Sequence, residues 1–160
     1  MTAINSAGRS LPIERGRSSR ARAAPLSQTA EYALRAMSQL AAHGPSSALT
    51  AKQLAESTGV PLAYLSKIMR TLVSAGLLSS QKGHGGGFVL TRPAQAILLS
   101  DVLDAVDEMP SEARCAFGWG DCDAANPCPL HPVWARLNSC LRDWATSTTL
   151  LDIAEKAVPR

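Results

Sequence analysis

Apolar residues first recur with a helical period at Ala30, Ala33, Leu34, Met37, Leu40 and Ala41, a one-face pattern that starts from Leu26 and that Gly44-Pro45 ends. Thr50-Ala-Lys-Gln53 is a capping box, in which the Thr50 hydroxyl accepts from an orphan backbone N–H and Gln53 reaches back. It predicts a short second helix from about Ala51 to Ser57, with Leu54 and Ala55 inward and Gly59 supplying the turn. Pro61, its φ preset to a helical value, opens a third helix that Gly76 stops. The buried stripe of this helix is Leu62, Leu65, Ile68, Met69, Leu72 and Val73, which leaves Tyr64, Ser66, Lys67, Arg70 and Thr71 on the other side. The period then changes. The runs 77–82 and 88–91 are strand-like and flank Gly83-His84-Gly85-Gly86-Gly87, so they read as a β-hairpin. After Pro93, Ser100 is placed to cap a helix through about Asp107, with Val102, Leu103 and Val106 inward. Pro132 stands where a long last helix begins, and Trp134, Leu137, Leu141, Trp144 and Leu151 form a seam at 3-4-3 spacing with a skip at Thr148. Thr149-Leu-Leu-Asp152 would cap a short final helix.

Two helices joined by a tight Gly turn, the second presenting polar and basic residues outward, make a helix-turn-helix, and a hairpin directly after it is a wing. On this reading Tyr64, Ser66, Lys67, Arg70 and Thr71 meet DNA, with Thr50 at the head of the preceding helix. The glycines, Gly85 and Gly86 among them, let the wing tip approach a sugar-phosphate backbone, with Lys82, His84 and Arg92 supplying charge and donors nearby. An amphipathic helix pair and a floppy hairpin tip would show the same pattern. His84-Gly85-Gly86-Gly87 also imitates the oxyanion-hole motif of lipase-type hydrolases. That fold requires a Gly-x-Ser-x-Gly elbow, which the chain lacks, and no Walker-type phosphate loop occurs. The sequence is therefore not read as an enzyme.

The charge is uneven. The first 25 residues hold Arg9, Arg15, Arg17, Arg20 and Arg22 against Glu14, a local balance of +4 in a chain whose total is +3. This segment reads as a disordered basic arm, either adding nonspecific phosphate contacts or merely a solvated tail, although its Ser- and Arg-rich, acid-poor composition also resembles a transit peptide. No apolar run of signal-peptide or membrane-spanning kind is present, so the expected compartment is the cytoplasm. There four cysteines need a reason other than disulfides.

Three of those four crowd into Cys115–His131, a stretch of 17 residues interleaved with Gly118, Gly120, Pro127 and Pro129. Such a loop cannot bury an apolar core but can fold around a metal, with Cys115, Cys122, Cys128 and His131 as donors. Structural zinc accepts the same donor set, although its short C-x2-C knuckles are absent, and a metal-free thiol switch uses the same cysteines. Trp119 stands to cover the site. Cys140, on the seam, reads as a small core residue. The seam itself, Trp134, Leu137, Leu141 and Trp144, suits a two-fold subunit contact or packing on the chain's own core.

Ser27-Gln-Thr-Ala-Glu31-Tyr-Ala-Leu-Arg-Ala36, Leu54-Ala55, Tyr64-Leu65, Ala75-Gly-Leu77, Gly83-His-Gly-Gly-Gly-Phe-Val-Leu90 and Asp101-Val102 together resemble the winged-helix regulators of the Rrf-two family, over about 26–155. The resemblance implies a dimeric transcription factor, in the expected case a repressor. Its cysteine loop would hold an iron–sulfur cluster, 2Fe–2S or 4Fe–4S, through Cys115, Cys122 and Cys128. It offers two fourth ligands: His131, as in the family's iron–sulfur assembly regulator, or Glu31 reaching across the dimer, as in its nitric-oxide sensor. Spacings of six and then five residues between the cysteines do not choose between cluster types. Pro61 departs from the family's frequent capping Ser, which removes a phosphate-facing hydroxyl. The expectation is a mostly α fold: a basic arm (1–25), a winged helix-turn-helix domain (26–109), a cysteine-rich cluster loop (110–131) and a dimerisation helix (132–158). Its partners would be a second copy and a palindromic double-stranded operator. Its signal would be nitric oxide, iron or iron–sulfur status, or redox stress.

Overall fold

Ser27 starts the first helix, α1 (Gln28–His43), by accepting a hydrogen bond from the N–H of Ala30 at 3.2 Å. In the computed structural model, which describes residues 26–44, 47–83, 85–109, 115, 120–123 and 125–154, this helix is the hub. The arm 1–25, His84, Trp119 and the stretch 155–158 lie outside the described residues. Ala30, Ala33 and Ala36 are fully buried together with Met37, and their small side chains let later helices approach α1.

In α2 (Ala51–Thr58) the Thr50–Gln53 box is complete, with both reciprocal bonds formed. Gly59 turns the chain at a φ of 70°, where a side chain would be strained. α3 (Leu62–Ser74) begins one residue later than expected: Pro61, with ψ at 130°, precedes the helix. That shift leaves Leu62, placed in the buried stripe by periodicity, 48% exposed in the first turn, while Leu65, Ile68, Met69 and Leu72 are buried.

The hairpin is β1 (Leu78–Gln81) with β2 (Gly87–Leu90), antiparallel, Leu78 opposite Leu90 and Gln81 opposite Gly87. Leu49 adds a bridge on the far side of β2, through Phe88 N–H to its carbonyl at 2.8 Å and its own N–H to Phe88 O at 3.1 Å. After a 3-10 turn (Ala94–Ala96), α4 spans Leu99–Ala105. Its cap is not Ser100, which is buried inside the helix. The Asp101 carboxylate accepts from Leu98 N–H instead, at 3.1 Å. Nor does α4 reach Asp107, which takes a positive φ of 57°.

The long helix α5 (His131–Ser147) begins at His131, one residue before Pro132. Thr149 and Asp152 cap α6 (Leu150–Ala154) reciprocally, so the seam breaks where the skip predicted. Leu150 N–H bonds Ile97 O at 2.9 Å and Leu99 N–H bonds Thr148 O at 3.0 Å. These bonds fasten the C-terminal helices to the winged domain, and Ala145 and Leu150 share one core with Met37, Leu72 and Val102. Each fully buried leucine of this core stabilises by roughly 1.5–3 kcal/mol relative to exposure. Among the described residues no helix is long and apolar enough to cross a membrane.

Candidate nucleic-acid interface and cysteine site

The outward side of α3 carries Lys67, Arg70 and Thr71, all exposed, with Ser66 half-buried. The Ser66 and Thr71 hydroxyls bond back to the helix carbonyls of Leu62 and Lys67, at 2.8 and 3.3 Å. Tyr64 has a second occupation: its hydroxyl is 2.7 Å from Thr29 Oγ1, and its ring meets Tyr32 edge-on at 5.6 Å. It pins the start of α3 to the start of α1. Thr50 is exposed, but its hydroxyl is engaged in the α2 cap.

In the wing, Lys82 and Gly85 are exposed at the tip. Gly86 has a fold reason of its own, because a Cβ there would lie 2.4 Å from Gln81 O. Arg92 is likewise committed to the fold. Its guanidinium donates to Ala96 O at 3.3 Å and to Asp101 Oδ2 at 3.1 Å. Asp101, which periodicity did not single out as an anchor, thus joins the wing exit to the start of α4. Such a contact joins residues nine apart in different elements and leaves no periodic trace.

The α5 seam resolves into two stripes. Trp134 and Leu141 are half-buried and run with the buried Asn138 and Ala145. Val133 (51% exposed), Leu137 (53%), Cys140 and Trp144 (38%) form an adjacent exposed stripe. Cys140, expected in the core, is exposed, because among the described residues nothing packs on its stripe.

Cys115, Cys122, Cys128 and His131 line one cavity of about 180 Å3, with Asp121, Asp123 and Asn126. The described parts of the loop are held locally. Cys115 N–H bonds Gly120 O and His131 N–H bonds Cys128 O, both at 3.0 Å, and Asp123 Oδ1 accepts from Ala125 N–H at 2.8 Å. Asp121, Asp123 and Asn126 were not foreseen, although acidic and amide residues between cysteines are the visible signal. Burial, then the neighbouring Cys115 and Cys128 thiols and the Asp121 carboxylate, raise the pKa of the Cys122 thiol. Nδ1 of His131 is buried, and among the described residues it has no hydrogen-bond partner. The donors line the cavity without closing on a point: among the described residues no three His, Cys, Asp or Glu side chains are grouped as ligands to a single ion. Glu31, expected to act across a dimer, does not line the cavity of its own chain; its carboxylate pairs with Arg35 one turn along α1.

The model of a family described as an iron-dependent transcriptional regulator, Rrf2, matches residues 26–156. The HTH-type transcriptional regulator IscR of Vibrio campbellii is 34% identical over 125 residues, covering 78% of this chain and 74% of the relative. An HTH-type transcriptional regulator of Mycobacterium tuberculosis is 36% identical over 135 residues, covering 84% and 83%. In fold, the chain is similar to CymR of B. subtilis, a global cysteine regulator (TM-score 0.70, 23% identity, 84% of this chain and 98% of that one). It is also similar to T. potens IscR (TM-score 0.67, 24% identity, 84% and 89%). These relatives are regulators rather than enzymes, and the chain belongs to the Rrf2 family of helix-turn-helix transcriptional regulators.

Proposed function

We propose that this DNA-binding regulator is a cytoplasmic homodimeric repressor whose cysteine cavity holds an iron–sulfur cluster, and that the state of the site sets its affinity for a palindromic operator. The observation that carries the reading is the cavity itself: three thiols share it with a buried imidazole nitrogen that has no hydrogen-bond partner among the described residues. A buried nitrogen without a hydrogen bond costs free energy, and coordination to a metal would satisfy it. Donors spread around a cavity suit a group with more than one iron better than a single ion. Cys115, Cys122 and Cys128 would hold the cluster through thiolate, and His131 is favoured over Glu31 as the fourth ligand because Glu31 is already paired. When bound, the cluster supplies a group sensitive to oxidants, nitric oxide or iron shortage.

The chain's own residues do the rest. His131 is the first residue of α5, so holding its ring also fixes the start of that helix. Lys67, Arg70 and Thr71 then face the major groove while Lys82, His84 and Gly85 approach the backbone. The exposed stripe Val133, Leu137, Cys140 and Trp144 is the proposed subunit contact, with Trp134 and Leu141 supporting it from the core side.

The test is the UV–visible spectrum of the chain purified without oxygen, with iron and sulfide counted per subunit. Charge-transfer bands with matched iron and sulfide support the cluster. A colourless protein that resists reconstitution overturns it. In that case the placing of Cys115 and Cys122 on one cavity favours a second reading, in which an oxidant joins the two thiols as a disulfide switch.

A further inference from the structure

A second cavity, of about 330 Å3, lies between α1, α3 and the end of α4. Ile68, Ala105 and Val106 give it apolar walls, and Thr29, Tyr64 and Thr71 bring hydroxyls. Its remaining two lining residues carry opposite charges, Lys67 and Asp107. They do not neutralise each other: the ion pairs among the described residues, Glu31–Arg35 and Arg92–Asp101, include neither.

Asp107 is an unexpected residue for its place. Asp107 N–H bonds Asp104 O at 3.1 Å and Glu108 N–H bonds Leu103 O at 2.9 Å, the paired bonds of a Schellman ending to α4. The residue at that point must take the left-handed conformation, here with φ at 57°, and glycine does so with least strain. A carboxylate there also meets the negative pole of the helix it ends. Aspartate tolerates this conformation better than most side chains, as asparagine does, but its charge is disfavoured at that pole. What aspartate adds is a carboxylate in a cavity that already holds an ammonium.

We propose that this cavity binds a small zwitterion of the α-amino-acid class. Its carboxylate rests on Lys67, its ammonium on Asp107, and its apolar side chain on Ile68, Ala105 and Val106. The volume suits a ligand of that size. Lys67 and Thr71 also stand on the outward side of the recognition helix, so ligand and DNA compete for the same face. An occupied cavity therefore releases DNA, and by linkage DNA weakens the ligand. This inference rests on α3 being the DNA-reading helix and is independent of what the cysteine cavity holds.

The experiment is calorimetric titration of the full chain, free of DNA, with free α-amino acids, alongside their amides, which lack the carboxylate, and their N-acetyl forms, which lack the ammonium. An amino acid with an apolar side chain should bind. Both blocked forms should bind at least about tenfold more weakly, and the parent should weaken binding to a mixed-sequence DNA duplex at low ionic strength. Asp107→Asn, which tolerates the same backbone conformation, should lose about tenfold in ligand affinity while leaving DNA affinity without ligand unchanged. Asp107→Gly should lose the ligand and raise the thermal midpoint, which separates a missing ligand contact from a damaged fold. Absence of binding by any free amino acid overturns the proposal. So do N-acetyl forms that bind as well as their parents, which would mark an anion site, and an Asp107→Asn chain that binds unchanged.

Discussion

Gly87 stands where a side chain has no room: a Cβ there would lie 2.6 Å from the carbonyl carbon and oxygen of Leu49. Both atoms are backbone, so relief requires β2 to leave Leu49 and break the two Leu49–Phe88 bonds. Gly87→Ala should cost about 1–3 kcal/mol in denaturant unfolding, the range of an overpacked site. A glycine-rich hairpin therefore reads correctly as a wing, but for partly the wrong reason. Gly86 and Gly87 serve their own chain, whereas Gly85, with open space around it, remains the one of the three with freedom to approach a phosphate. The arginines divide in the same way. Arg70 is exposed on α3, whereas Arg92 is held by Ala96 and Asp101. Arg70→Ala should lower DNA affinity, flatten its salt dependence by about one unit of slope and leave the melting temperature alone. Arg92→Ala should mainly lower stability, by less than about 1 kcal/mol for so exposed a pair. Anisotropy titrations across a salt series, with melting curves of the same proteins, separate the two.

At the scale of elements, what was legible was what is local. The Thr50–Gln53 and Thr149–Asp152 boxes lie within four residues, so the sequence alone carries their geometry, and the structure forms both. Leu62 was misplaced because periodicity marks a face but not where a helix meets the rest of the molecule. Cys140 was misplaced for a related reason. An apolar stripe turned to the chain's own core and one turned outward look alike in one dimension, and on α5 they sit side by side. The distinction has a consequence for the proposed dimer, which should depend on the exposed stripe rather than on the whole seam. Leu137→Arg places a charge where the second copy would pack and should yield monomers in sedimentation, with helix content retained because Leu137 is 53% exposed. A Leu137→Arg chain that sediments like the parent would move the subunit contact elsewhere.

The molecule as a whole joins the cysteine cavity and the cavity between α1, α3 and α4 to its recognition helix through few parts. α4 leads from the wing to the cysteine loop, α5 leads out of it from His131, and both α4 and α6 pack on α1, against which α3 also rests. The order of these elements was readable from helical and strand periods. Their convergence was not, since it rests on long-range bonds such as Leu150 to Ile97 and Leu99 to Thr148. In the proposed dimer, a site that fixes the start of α5 would therefore bear on the spacing of two recognition helices, which must match half-sites about one helical turn or its multiples apart. Cys122 tests that route, because its side chain faces the other two thiols and not the core. Cys122→Ala should keep a folded dimer, lose the visible chromophore, and fix DNA affinity at the value the parent shows after iron is removed with a chelator. The parent's affinities with and without iron should differ by about 1–3 kcal/mol, or roughly 5- to 150-fold. A variant whose DNA affinity still responds to iron, or whose spectrum matches the parent's, would place the sensor somewhere other than this cavity.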